Sequence, residues 1–187
     1  MVYTKTYDAP PIDRREILRY AGVRGDAPEI EAILEECIAE VADKLTYKVC
    51  FSEFDADHFD YVESASLRKH LEGCDKMILF AATVGIGIDR MIARYRGVSP
   101  TKSLLFQAIG AERIEALCDI FNSEYQGARF SPGYGDLPLE LQRDIFAALD
   151  CPRRIGLTLN ESMLMSPSKS VTAIIGVKDE NHGISEK

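Results

Sequence analysis

EYQGARFSPGYGDLPLELQRDIFAAL (residues 124–149) lies between two segments that read as helices, and its reading decides the fold. Upstream, SPTKSLLFQAIGAERIEALCDIFNSEY has Ser99 as a helix cap, Pro100 at the first helical position and apolar residues on most faces. A long, deeply buried helix is expected there. Downstream, LPLELQRDIFAALD sets Leu137, Leu141, Ile145 and Leu149 four apart, the spacing of one apolar helix face. Between them, glycines, Ser131 and two prolines break both patterns. A loop that joins helix to helix interrupts any strict strand–helix alternation.

That loop carries more chemistry than a linker needs. Arg129 can fork a carboxylate with two parallel N–H bonds, which lysine cannot reproduce. Gly133 has no Cβ and lets a ligand or another backbone come close. Tyr134 offers an apolar face for a flat ring and a hydroxyl for a hydrogen bond. The set suits a ligand with a carboxylate at one end and an aromatic base at the other, and S-adenosylmethionine is such a ligand. Its sulfonium would welcome a carboxylate, and Glu112, Glu115 and Glu124 lie on or just after the preceding helix. The alternative is a β-turn with a surface arginine.

Working outward, Pro10–Pro11 forbids helix, so residues 1–12 read as an extended arm. DRREILRYAG reads as a short helix capped by Asp13. APEIEAILEECIAEVADKL has an apolar stripe from Ile30 to Leu45 and an acidic remainder, read as a solvated surface rather than a docking face. TYKVCFSEF alternates as a strand, ASLRKHLEG reads as a short helix, and the continuous apolar run KMILFAATVG reads as a buried central strand. GIDRMIARYRG follows as a helix. RIGLTLN and SVTAIIGV read as strands flanking the turn ESMLMSPSK. The mixed order gives an α+β fold, with core strands near 76–83, 155–160 and 170–177. It is expected as one domain over 1–187, with a loose polar tail at 178–187.

Bulk properties narrow the function. A net charge of −8 disfavours nucleic acid. No apolar run reaches bilayer length, and MVYTKTYDAPPIDRREI lacks the apolar core of a signal peptide. Five widely spaced cysteines without a C-x-x-C pair read as reduced thiols of a cytoplasmic protein, with no zinc site. ATVGIGIDR lacks the third glycine of a dinucleotide fingerprint and reads as a tight strand–helix turn. In EFDADHFD, strand alternation would split the acids and His58 between two faces, so a solvated turn is preferred to a cation site. His70 and His182 have no evident nucleophile partner.

The Arg129–Gly133–Tyr134 loop, followed by IGLTLNESMLMSPSKSVTAIIGV, resembles the activation domain of cobalamin-dependent methionine synthases. The matching residues of the second motif are Thr158, Glu161, Ser162, Met165, Pro167, Ser170 and Val171. The likeness covers residues 105–177 and runs more weakly back through MILFAATVG. It implies a domain that binds S-adenosylmethionine and presents its methyl to the cobalt of cobalamin once cob(I)alamin has been oxidised to cob(II)alamin. Flavodoxin or another reductant would supply the electron. It further implies that Arg129 holds the ligand carboxylate and that the Gly133–Tyr134 backbone lies along the adenine, with Ser131 between. The cobalamin would be held by a partner methionine synthase or related corrinoid protein, and this chain would supply no catalytic residue of its own.

The sequence also departs from that family. Gly135–Asp136–Leu137–Pro138 replaces a Pro-x-Cys-Pro-like segment, and Ile174–Ile175 stands where an aromatic residue usually meets the ligand. The acid that contacts the ligand amino group has no firm counterpart, with Glu63 and Glu72 nearby. The expectation is a separate reactivation subunit. A capping or scaffold module that has lost the methyl donor is the alternative.

Overall fold

The computed structural model describes residues 1–125 and 127–178. Its centre is the strand β3 (Lys76–Thr83), flanked by β2 (Tyr47–Asp55) and β7 (Ser170–Val177). Outside these lie β1 (Tyr3–Tyr7) next to β2 and the two-residue β4 (Arg129–Phe130) next to β7, giving the order β1-β2-β3-β7-β4 with antiparallel pairing throughout. Alternate side chains of a strand face opposite ways. Along β3, Ile78, Phe80 and Ala82 enter one core while Met77, Leu79 and Ala81 enter the other. A strand covered on both faces has no polar side to show, which is why this segment is continuously apolar.

The first face is covered by α1 (Arg14–Tyr20), α2 (Pro28–Val41), α4 (Gly87–Tyr95) and α5 (Pro100–Asn122). The second is covered by α3 (Ala65–His70), α6 (Gln142–Leu149) and α7 (Cys151–Ile155). This is the α+β architecture expected from the element order. The helix α5 begins as its sequence dictates: the Ser99 side chain accepts from the Lys102 N–H and Pro100 occupies the first turn. A Cβ on Gly110 would come within 2.8 Å of Lys169 Cγ and 2.9 Å of Ile88 Cγ1, so its bareness lets α4 and the residue-169 turn press against the helix.

The arm is extended as expected and fastened at both ends. β1 pairs with β2, and Arg113 of α5 donates to the carbonyls of Pro10 (2.6 Å) and Pro11 (2.7 Å). Arg113 is 1% exposed and Glu112 4%. They form a buried ion pair, with Glu112 also accepting the Asp13 N–H at 3.0 Å. Such a pair offsets its desolvation only with further hydrogen bonds, and here all three guanidinium nitrogens and a carboxylate oxygen have them.

One strand expectation needs correction. Residues 155–160 add nothing to the central sheet. Residues Cys151–Ile155 form α7, with Pro152 in its first turn and Gly156 closing it at φ +70°. Only β5 (Thr158–Leu159) is extended, and it pairs with β6 (Met165–Ser166) as a separate ribbon. Proline at the start and a left-handed glycine past the end are helix punctuation that outweighs the β-rich letters after it. The tail expected from 178 lies, from residue 179 on, outside the described residues, as does His182.

Candidate functional site

Glu115 and Asp119 stand four residues apart on α5 and therefore share one face. β4 carries Arg129 to that face. Its register with β7 pairs Arg129 with Ile175 and Phe130 with Ile174. Directly paired residues point the same way, so Arg129 lies on the α5 side with Ile175 and Phe130 on the other side with Ile174. The Arg129 side chain is 25% exposed, and its Nη2 donates to Glu115 at 2.6 Å and its Nη1 to Asp119 at 2.5 Å. Partial burial opposes the charge, but the hydrogen bond of Asp119, the neighbouring Cys118, the hydrogen bond of Glu115 and the Asp119 charge outweigh it and hold the pKa above the ordinary arginine value.

Past β4 the chain folds into a tight loop. The Tyr134 N–H donates to the Ser131 carbonyl (3.3 Å), the Leu137 N–H to Tyr134 (3.0 Å) and the Gly133 N–H to Leu137 (2.9 Å). Gly133 has φ +90°, a left-handed conformation that favours glycine. This alone accounts for glycine at 133, beside the close approach read from the sequence. A Cβ there would stand 3.2 Å from Leu139 Cδ1, the movable end of a side chain. Tyr134 is 67% exposed, a free aromatic face. Asp136 anchors the loop to the start of α3, accepting from Ser64 Oγ (2.6 Å), the Ala65 N–H (2.7 Å) and the Ser66 N–H (3.0 Å). These bonds, led by that of Ser64, push its carboxyl far below the usual range.

The structure thus brings Arg129 and Glu115 together and sets Ser131, Gly133 and Tyr134 on the loop that follows. Glu124 is placed elsewhere: its carboxylate accepts from Lys5 (2.5 Å) and the Tyr7 hydroxyl (2.6 Å) of β1, the opposite edge of the sheet. Asp119 was missed by the sequence reading, although its spacing of four from Glu115 was a visible signal. Ile174 and Ile175 are both fully buried, one in each core.

Glu72 lines a cavity of about 210 Å³ with His70, Gly127, Ala128 and Lys178, just before Arg129 in the chain. His70 stacks on Phe130 at 5.2 Å, and its Nε2 lies 3.1 Å from the Ile174 carbonyl. Burial pushes its pKa down, against the opposing pull of that contact. The second motif forms the β5–β6 ribbon and its turn. Asn160 Oδ1 accepts from the Ser162 and Leu164 N–H groups, and the Ser170 hydroxyl joins Thr83 to the Pro167 carbonyl. These residues shape the fold around the site rather than touch Arg129. Among the described residues no group of three or more His, Cys, Asp or Glu is placed to hold a metal ion, and no helix is long and apolar enough to cross a membrane.

Residues 111–183 match the family described as vitamin B12 dependent methionine synthase, activation domain. The chain is 36% identical over 96 residues to a methionine synthase of Mycobacterium tuberculosis (strain ATCC 25618 / H37Rv) and 32% identical over 95 residues to one of Mycobacterium leprae (strain TN). Each match takes in 49% of this chain and 8% of the relative, so the chain spans about a twelfth of the curated relatives' length. In fold it matches the crystal structure of the MetH reactivation domain bound to AdoHcy, with a TM-score of 0.64, 16% identity, and coverage of 94% of this chain and 78% of that one. In sequence over residues 111–183, and in fold over nearly its whole length, the chain resembles the activation domain of vitamin B12-dependent methionine synthase.

Proposed function

We propose that this chain is a reactivation module that binds S-adenosylmethionine for the reductive methylation of cob(II)alamin held by a partner methionine synthase or related corrinoid protein in the cytoplasm. The observation that carries the reading is the placement of Arg129 at the sheet edge, beside Glu115 and one turn of loop from the exposed Tyr134 ring. The fit is chemical. A guanidinium fork suits the ligand carboxylate, an exposed aromatic face suits adenine, and Glu115 suits the positive end of the ligand. When bound, the ligand supplies a methyl group, and flavodoxin or another reductant supplies the electron that the exchange with cob(II)alamin requires. This chain's residues bind and orient: Arg129 fixes one end of the ligand, and the loop 131–138 fixes the other. The structural relative described as bound to AdoHcy, the demethylated form of the same ligand, supports the choice.

Calorimetry with the purified chain tests the proposal. Heat of binding for S-adenosylmethionine at micromolar to millimolar concentration is expected. No heat and no thermal shift at millimolar ligand, with or without a corrinoid partner, would sink it. A second reading, a capping module without the methyl donor, is favoured by one observation: Ile175, the β7 partner of Arg129, is buried core. That reading expects binding to the corrinoid protein with no response to the ligand.

A further inference from the structure

We propose that Asp119 is the latch of the Arg129 site, a positioning residue that occupies the guanidinium until a ligand carboxylate displaces it and so makes the site selective for carboxylate-bearing ligands. The proposal rests on the reading of this site as one for S-adenosylmethionine. Both terminal nitrogens of Arg129 are engaged, one by Asp119 at 2.5 Å and one by Glu115 at 2.6 Å. An incoming carboxylate can take the fork side-on only by replacing at least one of them.

The two acids are unequal. The Asp119 side chain is 68% exposed and that of Glu115 44%. The more exposed carboxylate is better solvated once released, which favours its exchange even though its contact with the guanidinium is the shorter of the two. Asp119 is therefore the partner that yields. Glu115, more enclosed, stays beside the guanidinium and leaves a negative charge for the ligand's cationic groups. A ligand with a carboxylate exchanges one anion for another at Arg129. A ligand without one finds Asp119 still in place and draws nothing from the guanidinium.

The test uses the whole chain and three probes in calorimetry. S-adenosylmethionine carries carboxylate and sulfonium, S-adenosylhomocysteine carries the carboxylate alone, and decarboxylated S-adenosylmethionine carries the sulfonium alone. Asp119→Asn is expected to tighten S-adenosylhomocysteine about two- to fivefold, the size of an exposed ion pair. The ratio of S-adenosylmethionine to decarboxylated probe affinity should also move toward the carboxylate. The decarboxylated probe carries one more net positive charge, so general electrostatics also moves that ratio; the deciding probe is S-adenosylhomocysteine, a net-neutral zwitterion whose affinity a general loss of negative charge leaves nearly unmoved. Asp119→Ser, a smaller neutral replacement, should behave alike and guards against a folding effect in one variant. If the variants bind S-adenosylhomocysteine no better than the parent while Arg129→Lys still weakens it, the latch is overturned and the ligand reading stands. If only the Asp119 variants bind, the latch is upheld. If no probe binds any of these proteins at millimolar concentration, both fall.

Discussion

Lysine at position 129 would keep the charge and lose the planar fork. Arg129→Lys is expected to weaken S-adenosylmethionine about tenfold or more, since a bidentate charge-assisted contact exceeds a single one by roughly 1–3 kcal/mol. Isothermal titration reads it directly, and an unchanged affinity would show that the arginine serves the fold. Gly133 makes a separate demand. With φ at +90°, alanine there is strained by roughly 1–2 kcal/mol, and Gly133→Ala should lower the melting temperature. Affinity measured well below that temperature then tells whether a ligand also needs the bare backbone. Arg129, Gly133 and Tyr134 were legible from residue chemistry, and Glu115 from its position on the preceding helix. The placement of Glu124 was not. It lies past the end of α5, and its partners Lys5 and Tyr7 are more than a hundred residues away in the chain. No local pattern encodes such a contact.

Elements with a strong local code were readable. β3 declares itself by an unbroken apolar run, and α5 by Ser99–Pro100 and its length. β4 has two residues and no pattern of its own; it exists because β7 offers a free edge beside it. The loop after it is tied to α3 through Asp136, and this predicts a pH dependence. A carboxyl whose folded pKa is depressed contributes stability that is fully present above its unfolded pKa, near 4, and is lost as pH falls through the lower folded value. Melting curves from pH 7 to pH 3 should therefore show a shallower acid decline for Asp136→Ala, which starts from a lower melting temperature at pH 7 because Ser64 Oγ and the Ala65 and Ser66 N–H groups at the start of α3 have lost their acceptor. Parallel declines for the two proteins would mean that this carboxyl is no better bound in the native state than in the unfolded one.

At the scale of the whole molecule, two helical layers are joined through a shared sheet, and the end of the arm is held to α5 by hydrogen bonds to a buried ion pair within that helix. Arg113→Met should destabilise the chain by about 3–5 kcal/mol, because it leaves Glu112 buried without its counter-charge. Adding Glu112→Leu should recover part of this, though not all, since the Pro10 and Pro11 carbonyls and the Asp13 N–H still lose partners. Urea unfolding of the single and double variants measures both. Equal stability of the two would show that the uncompensated charge is not what hurts.

The clasp on Pro10 also sets a schedule for synthesis. Its donor, Arg113, lies 103 residues further along the chain. At translation rates of about 5–20 residues per second, the interval between making the arm and making its anchor is roughly 5–20 s. Through that interval β1 can at most rest on β2, and nothing grips the two prolines. The arm is thus made well before it can be secured, and a ribosome-bound chain stalled before Arg113 should have an arm open to protease while the finished protein does not.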